Sequence, residues 1–294
     1  MNKKSGEKEK INVNERWQDF LKVARANKAK TFVYVALRLL VVIVLIAEIF
    51  NMNYNNVFLC ILTLILFMSP SFLNKRLNIV MPETLEIIVL LFIFGAGILG
   101  EINQYYLIFD RWDDMLHIIN GFLCAAIGFS LVDILNRHEK ITFSLSPFFV
   151  AMVAFCFSMT VGVIWEFFEF GMDTFFQMDM QKDTIITSIS SVLFNPEGKN
   201  VAVVLPINSV IVNGIPWNYG GYIDIGLHDT MSDLLVNFMG AVIFSIIGYV
   251  YIKNRKKGKF APRFMLRRKT EDEKKKEHKH QYTNKKEKEK EIEK

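Results

Sequence analysis

The segment WEFFEFGMD, residues 165–173, sets Glu166, Glu169 and Asp173 among Trp165, Phe167, Phe168 and Phe170. Residues three, four and seven apart share a helix face, so the three acids form one stripe and the rings take the others. Two further segments repeat the theme. In DRWDDMLHIIN, Asp113 and His117 are four apart, with Asp110 and Asp114 beside them. In HDTMSDLLVN, Asp229, Asp233 and Asn237 follow at intervals of four, His228 opens the motif, and Asp224 lies just before it. Carboxylate with imidazole suits zinc, manganese or iron, whereas carboxylate alone suits calcium or magnesium. The set therefore predicts a divalent metal held by His117, Glu166, Glu169 and Asp233, with Asp113 or Asp229 as base for a bound water. Glu101, Asp114, Asp173, Asp224, His228 and Asn237 are additional candidates. A competing reading has equal weight for some of these. Asp113, Asp114 and Asp229 sit where acids cap helix N-termini, and His117 could simply bond a neighbour at an interface. The Glu-x-x-His element of carboxylate metal sites in helix bundles is missing.

These residues need elements to position them, and the hydropathy supplies six. Apolar blocks of membrane-spanning length fall at about Phe32–Phe50, Val57–Leu73, Thr84–Ile102, Met115–Asn136, Pro147–Gly171 and Asp229–Ile252. Pro70 is expected to end or kink the second. The predicted fold is an all-α polytopic membrane protein, a six-helix transmembrane bundle with a largely irregular, hairpin-bearing outer loop. Residues 1–31 form a basic tail, 32–252 the membrane domain with its loop at 172–228, and 253–294 a basic segment and charged tail. Lys and Arg concentrate in both tails and in alternate loops, which places both termini in the cytoplasm of a multi-pass cell-membrane protein. Pro147 to Glu166, His117 to Asn136 and Asp233 to Ile252 each cover 19 residues, about 28 Å from the inner side at the helical rise. Glu101 lies about 25 Å from Thr84 by the same rise, and Glu48 is similar. Antiparallel crossings thus bring acids and an imidazole to one level. Facing one another there, they call for a cation, a cationic substrate or shared protons.

The rest of the sequence narrows the classes. The 294 residues are 51% apolar, with a net charge of +5. That charge sits beside spans, which points to anionic inner-leaflet headgroups and membrane lipids rather than nucleic acid. The first apolar block follows about thirty polar residues, which argues against a cleavable signal peptide. Cys60, Cys124 and Cys156 lie inside apolar blocks without Cys-x-x-Cys spacing, so they read as buried hydrophobes. Trp17, Phe20, Leu21 and Ala24 suit a short helix on the inner leaflet or an extension of the first span. KNRKKGKFAPRFMLRRK, with Phe260 and Phe264, reads as a lipid-surface anchor, and the charged tail after it as disordered or a solvated helix. His278 and His280 there could bind metal adventitiously. In NVAVVLPINSVIVNGIPW, Asn213-Gly214 signals a β-hairpin, and a loop this long suits a lid. GAGILGE reads as close helix packing, since it sits inside a span. Arg38, in the middle of the first span, is expected to snorkel or to pair with Glu86. Walker, Gly-x-Ser-x-Gly and His-Glu-x-x-His motifs are absent from the sequence.

DDMLHIINGF, WEFFEFGMD and YGGYIDIGLHDTMSDLLVNFMGA together resemble the YjdF-like proteins, small bacterial inner-membrane proteins without an assigned activity. The resemblance covers about Glu83–Tyr249. It implies a membrane protein built around these acids and no particular reaction. The outer loop looks expanded relative to that pattern, and both tails fall outside it. The residues themselves suggest metal-dependent hydrolysis of a lipid or envelope substrate at the outer face. The rivals are a cation- or proton-coupled transporter, and a structural or scaffolding membrane protein.

Overall fold

A computed structural model describes residues 28–136, 145–254 and 257–273. The N-terminal interfacial helix, most of the charged tail and the His278–His280 pair lie outside the described residues. The protein is mostly helical, and six helices are long and apolar enough to cross a membrane. The chain divides into two compact units, Met1–Gln104 and Tyr105–Lys294.

The first unit carries three of the spans. Helix α1 runs Lys28–Phe50. The second span, Tyr54–Arg76, is broken into α2 (Tyr54–Leu66) and α3 (Ser69–Arg76), with Pro70 in the first turn of α3. A break within hydrocarbon exposes backbone carbonyls that need donors. Arg38 supplies one: its Nη2 donates to Phe67 O at 3.2 Å, joined there by the Tyr34 hydroxyl at 3.3 Å. Its guanidinium also lies 4.2 Å from the centre of the Tyr34 ring. Arg38 therefore serves the kink and does not pair with Glu86, whose ion pair is with Lys30 at 2.6 Å. Helix α4 (Glu83–Phe94) widens into a π-helical stretch, Gly95–Ile102, closed by Asn103 N–H donating to Ile98 O. Close packing at the glycines is observed. A Cβ on Gly97 would come 2.7 Å from Thr63 Oγ1. Leu37, Val41, Cys60, Phe67, Leu90 and Ile98 form the core of this unit.

The second unit is built on α5 (Trp112–Asn136), α6 (Pro147–Phe176) and α7 (Leu227–Lys253), each packed on the other two. Glycines set how closely they pack. A Cβ on Gly121 of α5 would lie 2.1 Å from Asn237 O of α7, and one on Gly240 of α7 would lie 2.1 Å from Ile118 O of α5. Small residues at membrane helix interfaces allow such backbone contact. Further along, Phe122, Phe129 and Phe244 stack edge to face. The chain after α7 returns to this layer. Phe264 is buried against Phe122 and Phe244, and Leu266 N–H donates to the Ser130 hydroxyl at 2.9 Å. Only Phe260 of the two expected anchor rings is exposed, because Phe264 is taken up by the aromatic layer. Beyond it, Arg267 forms a two-pronged pair with Glu273, whose hydrogen bonds hold that carboxyl down at about 2.

The loop between α6 and α7 is more ordered than its composition suggests. Strands β1 (Thr184–Ile186) and β6 (Tyr222–Asp224) pair antiparallel at its base. Within them β2 (Ser188–Ser191) pairs with β3 (Val203–Pro206), and β4 (Val210–Val212) with β5 (Ile215–Trp217). Asn213 and Gly214 both have positive φ, 54° and 81°, as the two-residue turn of the expected hairpin requires.

Candidate functional site

Helix α6 begins with Ser146 accepting from Phe149 N–H and Pro147 in its first turn, an N-terminus favoured by both residues. It continues five residues past the expected Gly171, to Phe176. Glu166 is therefore interior to the helix and not at its C-terminal end. The capping Gln177 has a left-handed backbone, φ 55°. The three-residue step from Glu166 to Glu169 turns both inward, to 4% and 6% exposure, while Phe167, Phe168 and Phe170 face outward.

On α5, His117 is buried beside Asp113, and on α7 Asp233 is 2% exposed. The imidazole stands between carboxylates from all three helices. His117 Nε2 lies 3.5 Å from Asp113 Oδ1 and 3.6 Å from Asp233 Oδ2, and Nδ1 lies 4.0 Å from Glu166 Oε1. A tetrahedral ion with bonds of about 2.1 Å has ligand–ligand edges of about 3.4 Å, close to the first two spacings. Ligand atoms of Asp113, His117 and Asp233 lie within 4.8 Å of one another, as do those of Glu166, Glu169 and Asp233.

Hydrogen bonding leaves this cluster incomplete. Glu169 Oε1 accepts from the Trp165 indole at 2.9 Å. Both oxygens of Glu166, Glu169 Oε2 and Asp233 Oδ2 are buried without a hydrogen-bond partner among the described residues. Nor does Lys or Arg form an ion pair with Glu166, Glu169 or Asp233 among those residues. Buried carboxylate oxygens with no donor are costly, by several kcal/mol per ion in order of magnitude, so the arrangement favours a bound cation or shared protons.

The other candidates have partners or surroundings of their own. Asp173 reaches back to the loop, accepting Met180 N–H at 2.6 Å and Gln181 N–H at 2.8 Å. Asp229 accepts Lys182 N–H at 2.7 Å, so three successive amides are strapped across the loop end of α6 and α7. Gln181, itself buried, also bonds Thr230. In this loop Asp183 is held above the usual carboxylate range by desolvation first, then by Asp179, Asp224 and Asp173. Asp224 accepts from His228 N–H at 2.7 Å, and the His228 side chain is exposed. Asp114 pairs with Arg111 at 3.7 Å, outside the buried set. Asn237 lies one turn below Asp233, where it accepts from Asn120 and its amide meets Met159 Sδ. Glu101 belongs to the first unit and is exposed.

Four contributors went unread in the sequence. Trp165 donates its indole N–H to Glu169, and their i,i+4 spacing was the available signal. Asn120, three residues after His117, carried a similar one. Gln181 and Thr230 carried none, because their meeting depends on the loop's path.

A family model described as "Predicted membrane protein (DUF2238)" matches residues 33–254. Its range contains every residue of the cluster. No curated protein and no solved structure matches the chain.

Proposed function

The chain belongs to the DUF2238 family of predicted membrane proteins, and we propose that in it the loop-end cluster is a divalent-metal centre for hydrolysing a lipid or cell-envelope substrate. One observation carries the reading: four buried carboxylate oxygens lack hydrogen-bond partners among the described residues, and two of them, on Glu166 and Asp233, lie within 4.0 Å of the nitrogens of one imidazole. His117, Asp113, Glu166, Glu169 and Asp233 supply the ligands, and Trp165 orients Glu169. A bound divalent ion would make water acidic enough to attack near neutral pH. Asp229, half-buried with Oδ2 held by the Lys182 amide, takes the proton. The strap and hairpins form the lid. In this orientation the loop faces outward and both tails lie in the cytoplasm, where basic residues meet anionic headgroups.

Elemental analysis of the purified full-length protein tests the centre. At least one divalent transition metal per chain is expected, reduced by half or more in Glu166→Gln and His117→Ala. A metal-free wild type, or metal content untouched by both substitutions, refutes it. Hydrolysis is tested separately by turnover of a labelled lipid extract, expected with wild type and lost in Asp229→Asn.

A further inference from the structure

We infer that the centre holds two divalent ions, bridged by Asp233. The inference rests on the metal reading above and goes beyond it in number and arrangement. The two sets of mutually close ligand atoms, Asp113–His117–Asp233 and Glu166–Glu169–Asp233, share Asp233 alone. The imidazole divides them. Nε2 faces Asp113 and Asp233, whereas Nδ1, on the other side of the ring, faces Glu166. An ion on Nε2 is thus bounded by the first set, and the two glutamates are left to a second ion.

Charge balance agrees. Asp113, Glu166, Glu169 and Asp233 bring four negative charges when ionised, and a neutral His117 adds none. One dication would leave two charges uncompensated, and two dications leave none. The partnerless oxygens point to where the second ion sits. Three of the four belong to Glu166 and Glu169, which lie in the second set alone, while the fourth, Asp233 Oδ2, also faces His117 Nε2 as a shared ligand would; all three side chains are more than nine-tenths buried. A carboxylate shared by two ions about 3.5–4 Å apart is the common form of two-metal sites. One nitrogen and two oxygens on one side, and three oxygens on the other, suit manganese or iron on both.

Manganese loading tests the pair. The full-length protein carrying His278→Ala and His280→Ala, to remove adventitious binding at the tail, is stripped with chelator, reloaded with Mn²⁺ alone and desalted. Metal is counted by mass spectrometry, and the electron paramagnetic resonance spectrum is recorded. Two ions per chain with an exchange-coupled spectrum are expected. His117→Ala and Glu169→Gln should each retain one ion with an isolated six-line signal, and Asp233→Asn should lose the coupling. One ion per chain, or two uncoupled ions, overturns the bridge and leaves the metal reading standing. No bound manganese overturns both. The wild-type count decides the matter even where a variant fails to fold.

Discussion

Asp173 and Glu166 lie on the same stripe of one helix, seven residues apart, and their carboxylates have opposite circumstances. Asp173 accepts two loop amides; Glu166 accepts none. Charge-assisted bonds of this kind contribute about 1.5–3 kcal/mol each. Asp173→Ala is therefore expected to free the strap while leaving the metal in place. Hydrogen exchange at Met180, Gln181 and Lys182 should accelerate at least tenfold, with metal content within a fifth of wild type. Unchanged exchange, or loss of the metal, would show that Asp173 is no anchor. The stripe itself was legible, because helical spacing fixes which side chains share a face. The fate of each acid was not. It depends on amides delivered after the left-handed turn at Gln177, and no periodicity encodes that turn.

At the scale of elements, α5 and α7 touch backbone to backbone at Gly121 and Gly240. Neither approach tolerates a methyl group, since what it would meet is a carbonyl that cannot rotate away. Gly240→Ala should force the two helices apart at a cost of about 1–3 kcal/mol, read as a lower Tm in detergent. His117 and Asp233 face each other across the same helix pair, so metal affinity should fall with it. Gly214→Ala provides the contrast. Its Cβ would meet nothing, and only the positive φ is strained, so the trio's Tm should hold. Equal effects of the two substitutions would contradict the packing described. The spans were legible to within a few residues because hydrocarbon thickness dictates their length. The hairpin was legible from Asn-Gly chemistry. The β1–β6 ladder was not, since Thr184 and Asp224 are paired across a long stretch of sequence that contains both inner ladders. The partner of Arg38 was not legible for a related reason: the kink at Phe67 that it serves, in place of Glu86, lies on another helix.

For the whole molecule, the expected topology follows from where Lys and Arg fall, and it can be tested in intact cells. In a background lacking Cys60, Cys124 and Cys156, Lys199→Cys should react with a membrane-impermeant maleimide from outside. Lys259→Cys should react only after lysis. The reverse pattern would place the cluster at the cytoplasmic face and exclude an envelope substrate. The tie between Leu266 and Ser130 adds to this picture, because it draws the basic segment back against the trio rather than releasing it at the end of α7.

Beyond the cluster, the glycine contacts and the rings of Phe122, Phe129, Phe244 and Phe264 pack α5, α7 and the chain after α7 together. Under the proposed reading, a ligand of the cluster would come and go at the loop end, where the amides of Met180, Gln181 and Lys182 are held by Asp173 and Asp229, so its exchange would be paced by how often that strap lets go.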